Sequence, residues 1–283
     1  MPSNRHTELT LVNGERTNTL DCADRALAYG DGLFETIALL DSQPQHWPRH
    51  FARLQDGAAR LYLECPAENV WRGDLETLLA SNIPPPRAVL KLLLSRGRGR
   101  RGYAPDPTQP PTRIAQLLAW PTLSEPPSFV AIECETRLAR NPALAGIKHL
   151  NRLEQVLGAR EVGLANAHEG FMYDVDGNLI EGTRSNLFLA FKRQLWTPLL
   201  THSGVAGVMR SVVLDHAREW GFEVHQKTLS QQDLTRCEEA FFTNSLLGVQ
   251  AVNAMQTGAH RRTLDTVFTS KLCTRLRAEQ LVP

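Results

Sequence analysis

Apolar residues along this chain alternate between a strand-like and a helix-like rhythm. Leu33 to Leu40 is nearly unbroken and is closed by Asp41-Ser42-Gln43-Pro44, which predicts a buried strand. Phe51, Leu54, Ala58 and Leu61 then recur at helical spacing, so an amphipathic helix is expected over 49–63. A second helix is expected over 67–80, stopping before Pro84-Pro85-Pro86. Ala88 to Leu94 and Ile114 to Trp120 read as strands joined by an Arg- and Gly-rich loop. Ahead of these, Leu9 to Val12 runs into Asn13-Gly14, which supplies the positive φ angles of a type I′ hairpin turn.

The Pro- and Ser-containing stretch from Pro121 to Pro127 interrupts this pattern, and 122–127 is expected to be a linker. It would separate an N-terminal domain, 1–121, from a C-terminal domain, 128–283. The second part predicts a strand at Phe129 to Glu133 and a helix from Leu150 to Val162. A strand-rich run follows from Phe171 to Thr197, turning at Asp176-Gly177. A helix from Val208 to Trp220, strands at 239–243 and 248–252, and a helix from Leu264 to Leu281 complete the chain. Strands and helices do not alternate regularly, so the expected fold class is α+β, with two domains and mixed sheets.

Composition narrows the function. The net charge of +1, from 31 basic and 30 acidic residues, argues against a general polyanion binder. Five scattered cysteines without a CxxC read as reduced thiols, and neither a secretory leader nor a membrane helix is expected. A cytoplasmic protein that binds neither membrane nor nucleic acid is the expectation.

Several short motifs fail on context. His46 and His50 have metal-ligand spacing, but Pro48 lies between them. Gly97-Arg98-Gly99-Arg100-Arg101-Gly102 matches GxGxxG, yet Tyr103-Ala104-Pro105-Asp106-Pro107 cannot open the required helix. Arg96, Arg98, Arg100 and Arg101 could contact RNA, but only Tyr103 is at hand as a stacking aromatic. A loop gripping a small dianion suits both the local charge and the global balance, because guanidinium forks bind carboxylates bidentately.

Six segments carry more weight in order than singly: Asp24 to Thr36, His50-Phe51-Ala52-Arg53-Leu54, Gly146 to Gln155, Glu181 to Phe188, Gly204 to Arg210 and Thr243 to Leu246. From about residue 10 to residue 255 this order resembles the fold-type IV pyridoxal-phosphate enzymes. That group includes branched-chain aminotransferases, D-amino acid aminotransferases and aminodeoxychorismate lyases. Gly146 to Gln155 and the Arg96 to Tyr103 run are similar to the lyase branch. Phe34 stands where D-amino acid aminotransferases carry a tyrosine that helps hold the cofactor.

The resemblance implies pyridoxal 5′-phosphate in the cleft between two domains of a homodimeric enzyme. It makes Lys148, in the C-terminal domain, the Schiff-base lysine and catalytic base. Glu181 would meet the pyridine nitrogen, and Arg53 the phosphate. Val208 and Met209 would offer the phosphate a helix N-terminus. Ser185, Asn244 and Ser245 would add polar cofactor contacts, with the choice between the last two open, as is the role of Arg152. Arg101, Arg98, Tyr103 and Thr36 are the implied substrate contacts. The implied reaction converts 4-amino-4-deoxychorismate to 4-aminobenzoate and pyruvate, a step toward folate. A D-amino acid or branched-chain aminotransferase is the alternative, and an RNA-binding protein using the arginine loop a remote one.

Overall fold

In the computed structural model, which describes residues 9–81, 84–121, 128–192, 194–258 and 260–283, the apolar rhythm becomes three sheets with helices against them. The expected linker at 122–127 lies outside the described residues. In order come β1 (Leu9–Val12), β2 (Glu15–Arg16), α1 (Arg25–Tyr29), β3 (Gly32–Leu40), β4 (Gln43–Pro44) and α2 (Trp47–Arg60). Then follow α3 (Glu68–Ser81), β5 (Arg87–Ser95), β6 (Thr112–Ala119), β7 (Val130–Leu138) and α4 (Leu153–Leu164). Next are β8 (Glu169–Asp174), β9 (Leu179–Gly182), β10 (Asn186–Phe191), β11 (Gln194–Pro198) and α5 (Val208–Glu219). The last are β12 (Glu223–Lys227), α6 (Gln231–Arg236), β13 (Glu239–Asn244), β14 (Gly248–Ala251), β15 (Ala254–Thr257), β16 (His260–Thr263) and α7 (Val267–Ala278).

The chain divides into two compact units, Met1–Thr122 with Ile147–Asn151, and Leu123–Gly146 with Arg152–Pro283. The first holds one antiparallel sheet, ordered β2-β1-β6-β5-β3-β4. Asn13 (φ 53°) and Gly14 (φ 88°) make the tight β1–β2 turn expected of that pair. Along β3, Leu33 and Glu35 face α2, whereas Phe34 and Thr36 alternate to the other side. Phe51 and Leu54 are buried along α2, contributing roughly 1.5–3 kcal/mol each.

Ile147–Asn151, carrying Lys148, groups with this first unit, a correction to its expected place in the C-terminal domain. The reason is a partly open strand edge. β4 covers the outer edge of β3 only at Leu39 and Leu40. Near the start of β3, His149 bridges Leu33, the Phe34 N–H donates to the Lys148 carbonyl at 3.0 Å, and the Leu150 N–H donates to the Gly32 carbonyl at 2.9 Å. This pairing also delays the helix expected from Leu150, which starts at Leu153.

The second unit holds two five-stranded sheets, β12-β11-β10-β13-β14 and β16-β15-β7-β8-β9. Both are mixed: β11 and β12 are parallel, as is β7 with each of β15 and β8. β10 explains its own unbroken apolar run, since both its faces are covered. Leu187 and Leu189 join a core with Phe171, Leu179 and Phe242, while Phe188 and Ala190 pack with Phe241, Met209 and Val213. The second face therefore packs against α5. Among the described residues no helix is long and apolar enough to cross a membrane. None of them form a His, Cys, Asp and Glu group able to hold a metal ion.

Candidate active site

The pairing of 147–151 with β3 fixes the backbone of Lys148. Ile147, fully buried, anchors the segment, and Lys148 itself is half-buried. Its Nζ lies 4.2 Å from the centroid of the Phe34 ring. An ammonium over an aromatic face gains from the ring quadrupole. A lysine amine, once deprotonated, carries a lone pair that can attack a carbonyl or take a proton from an acidic C–H.

Behind that strand lies a charge cluster. Glu35 is 1% exposed, and its carboxylate accepts from Arg53 Nε at 2.8 Å and Nη2 at 2.5 Å. The His50 Nδ1 lies 2.6 Å from Glu35 Oε2. Burial alone would raise the Glu35 pKa, but Arg53 and His50 outweigh it and hold the carboxyl at about 2. Burial lowers the His50 pKa, Glu35 resists, and the charges of Arg53 and Lys148 add to the lowering. Glu35 is thus an anion and His50 neutral near pH 7, donating from Nδ1. The planar fork of Arg53, the expected phosphate ligand, is held by one edge.

The arginine loop separates into inward and outward parts. Arg96 points in: its Nε donates to Asp31 at 2.8 Å and its Nη atoms to the carbonyls of Leu61 and Tyr62 at the end of α2. Arg98, Arg100, Arg101 and Tyr103 are exposed, with Arg98 3.5 Å from Asp21. The Tyr103 ring lies 5.4 Å from that of Tyr29. Thr36, half-buried, shares the strand face of Phe34. Arg98, Arg101, Tyr103 and Thr36 therefore belong to the unit that carries Lys148.

In the second unit, Glu181 is 4% exposed on β9. It accepts from the Val205 N–H at 2.8 Å and from Gln155 Nε2 at 3.4 Å. Val205 leads through Gly207 into α5, so this carboxylate is tied to the start of that helix. Asn186 shapes the turn as well: its Nδ2 donates to the Val205 carbonyl at 2.7 Å, and its Oδ1 occupies the space that a Cβ at position 207 would need. The N-cap residue of α5, Gly207, makes no side-chain capping bond, and the helix's first residues are Val208 and Met209. The N–H groups of a helix's first turn suit an anion.

Thr243, paired with Asn186 across β10 and β13, lies on the α5 face of the sheet. Its Oγ1 is buried without a hydrogen-bond partner among the described residues. An uncapped helix start and an orphaned hydroxyl on one sheet face fit a phosphate group. Asn244 is otherwise employed, its Oδ1 accepting from the Leu246 and Leu247 N–H groups at 3.0 and 2.8 Å. Ser245 is half-buried in the same turn. Ser185 donates to Glu169 at 2.7 Å and so serves the fold of the strand end. Arg152 is the N-cap residue of α4.

Sequence reading names Thr243 only as the first residue of the Thr243-Asn244-Ser245 strand end, where it weighs Asn244 against Ser245, and it does not single out the Glu35–His50 support of Arg53. A glutamate inside the apolar run of β3 was the available signal, since a buried carboxylate demands partners. For Thr243 the signal was its place in that motif, and what distinguishes it from its neighbours is a missing partner, which only coordinates show.

The family model described as amino-transferase class IV matches residues 32–255. The chain is 35% identical over 251 residues to an aminodeoxychorismate lyase from Vibrio harveyi, covering 86% of this chain and 90% of that relative. It resembles the crystal structure of a 4-amino-4-deoxychorismate lyase from Pseudomonas aeruginosa with a TM-score of 0.88 and 38% identity, covering 96% of this chain and 100% of that one. The branched-chain amino acid aminotransferase from Escherichia coli shares the fold, with a TM-score of 0.85 at 22% identity, covering 98% of this chain and 96% of that one. By the span of that family match, this chain belongs to the class IV amino-transferases.

Proposed function

We propose that this chain is a pyridoxal-phosphate-dependent lyase converting 4-amino-4-deoxychorismate to 4-aminobenzoate and pyruvate, a step toward folate. The likeness to two lyases of that name over nearly the whole chain carries the reading. The exposed Arg98 and Arg101, on a loop of the unit that holds Lys148, support it, because the substrate bears two carboxylates.

Pyridoxal phosphate, when bound, supplies an aldehyde that condenses with amines and a ring that draws electrons from the neighbouring carbon. The N–H groups of Val208 and Met209, the Thr243 hydroxyl and Arg53 are its proposed phosphate contacts. Ser245 is kept as a further one. Glu181 is assigned to the pyridine nitrogen, where a carboxylate favours the protonated ring. Lys148 would hold the cofactor between turnovers and, once freed in favour of the substrate amine, would take the C4 proton at Nζ. The C3–O bond would then break as the carbocycle becomes aromatic, and Lys148 would return the proton to the methylene carbon of the departing enolpyruvate and retake the cofactor, which frees the amine of 4-aminobenzoate. Arg101 and Arg98 hold the carboxylates, with Tyr103 and Thr36 as further substrate contacts.

The test is direct. Supplied with aminodeoxychorismate, the protein should release equal amounts of 4-aminobenzoate and pyruvate with no keto acid added. An aminotransferase would require a keto acid as amino-group acceptor, and that requirement would overturn the reading.

A homodimer is part of the proposal. Leu153, Val156, Leu157 and Leu164 form an exposed apolar stripe along α4, between 51% and 78% accessible, which suits a second copy of the chain. Val156→Glu should shift the mass measured by light scattering from dimer toward monomer. All five cysteines are free thiols, which fits a reducing compartment, and we place the enzyme in the cytoplasm.

A further inference from the structure

Residues 100–105 of the arginine loop are all exposed, so no apolar burial fixes its course. Its order depends on polar ties, and most converge on one side chain. Arg25, 5% exposed, donates from Nη1 to the Gly102 carbonyl at 3.0 Å and from Nη2 to the Tyr103 carbonyl at 2.7 Å. Its Nε donates to Asp31 at 2.8 Å, and its guanidinium lies 4.7 Å from the Tyr29 ring centre. Asp31 also accepts from Arg96 at 2.8 Å. One carboxylate thus serves two guanidinium groups, and neutral carbonyl acceptors complete Arg25 without a second anion. Burial would raise the Asp31 pKa, but its bonds to Arg96 and Arg25 prevail and lower it, so it remains an anion.

The backbone around this side chain reinforces the tie. The Arg25 N–H donates to the Gly97 carbonyl and the Gly99 N–H to the Ala23 carbonyl, at 2.9 and 3.0 Å. Gly99 is needed for the approach, since a Cβ there would sit 2.5 and 2.6 Å from Arg25 Cγ and Cδ. Asp31 directly precedes β3, whose first residues seat Lys148. The loop and the Lys148 segment are therefore referred to the same strand start.

Resting on the proposed lyase reading, we propose that Arg25 is a positioning residue for substrate selection. Pinned by Asp31, its guanidinium latches the carbonyls of Gly102 and Tyr103, which sets the adjacent Arg101 for the second carboxylate of a dianionic substrate.

Two variants test the latch from opposite sides: Arg25→Gln removes the fork, and Gly99→Ala displaces it while leaving Arg25 and Asp31 in place. Circular dichroism checks that both fold. Trypsin cuts after arginine, so cleavage at Arg98, Arg100 and Arg101, located by mass spectrometry, reports loop order without reference to activity. Both folded variants should be cut there on the order of 10-fold faster than wild type. The KM for aminodeoxychorismate should rise on the order of 10-fold with kcat nearly unchanged, and by no more than in Arg101→Ala. Transamination of a monocarboxylic D-amino acid, where the protein shows it, should keep its wild-type KM. Unchanged cleavage in the folded variants overturns the latch. Faster cleavage with an unchanged KM for the dianion overturns the link to substrate. A fall in kcat with KM unmoved assigns Arg25 a general structural role and overturns the proposal. If wild type makes no 4-aminobenzoate, the lyase reading and the selection role fall together, while cleavage still decides the latch.

Discussion

The cluster behind Lys148 and the turn at the start of α5 handle charge in opposite ways. In the first unit His50 and Arg53 each lie within hydrogen-bonding distance of Glu35, whose carboxylate accepts from both. In the second unit, α5 starts without a side-chain cap and the Thr243 hydroxyl has no partner among the described residues, which leaves donor capacity on one sheet face. The first arrangement invests in stability, because breaking a buried ion pair strands a charge. The second carries a small penalty until an anion arrives. Damage to the first should therefore appear mainly as lost folding stability, and damage to the second as lost affinity.

Lys148 belongs to neither category, and its removal has the largest expected effect. Lys148→Ala should lower turnover by more than about 10³-fold, since the base and the covalent attachment of the cofactor go together. The visible absorbance of the loaded protein should disappear while its melting temperature stays close to wild type. Substantial activity in this variant would remove Lys148 from the chemistry.

Glu35→Gln tests the first half of the comparison. Leaving Arg53 without its buried anion should cost about 3–5 kcal/mol of unfolding free energy, measured with denaturant. Acid adds a second reading. The Glu35 carboxyl moves from 4.5 to about 2 on folding, so its contribution, on the order of 3 kcal/mol, is complete above pH 4.5 and drains away toward pH 2. His50, whose pKa burial lowers from 6.5, adds a loss that begins as the unfolded chain protonates near that pH. Wild type should therefore weaken in two stages on acidification, and the variant's curve should be shallower below pH 4.5. Equal slopes there would mean that Glu35 is not the titrating group.

Glu181→Ala probes the carboxylate tied to the start of α5. Loss of one charge-assisted hydrogen bond, roughly 1.5–3 kcal/mol, corresponds to about 10- to 150-fold in kcat/KM. Cofactor affinity should fall as well, because the Val205 N–H loses its acceptor and the turn into α5 its tie. Wild-type kinetics would show that another group serves the pyridine nitrogen.

How far these places could be read from sequence follows from their physics. The β3 strand, α2 and α5 were legible because burial imposes a period on apolar residues, as at Phe51, Leu54 and Ala58. The attachment of 147–151 to β3 was not, since an open strand edge is a product of the sheet and leaves no mark at Lys148. Lys148, Arg53 and Glu181 are proposed from flanking motifs, and Val208 with Met209 from the helix start. Ser185 and Asn244 follow from the same resemblance. Their atoms are committed to Glu169 and to the turn at Leu246, which only coordinates reveal. Arg96 and Arg101 look alike in sequence, and one turns inward because Asp31 lies there.

Thr243→Val has the smallest expected effect and discriminates most sharply. Valine keeps the shape of the side chain and deletes a hydroxyl that is buried with no partner among the described residues. An unsatisfied buried hydroxyl costs about 1–3 kcal/mol, so the cofactor-free variant should be more stable than wild type. Its melting temperature should rise by about 2–4 °C for each kcal/mol regained. The loaded protein should change the other way. One lost hydrogen bond to the phosphate, a net 0.5–1.5 kcal/mol, weakens cofactor binding by about 2- to 10-fold. At saturating cofactor, kcat should match wild type, because the hydroxyl holds the phosphate and takes no part in proton transfer. Melting curves of the free protein and a cofactor titration together give the two signs. A variant that gains no stability and loses no affinity would place the Thr243 hydroxyl away from the anion, and the second unit would then rely on the α5 backbone alone.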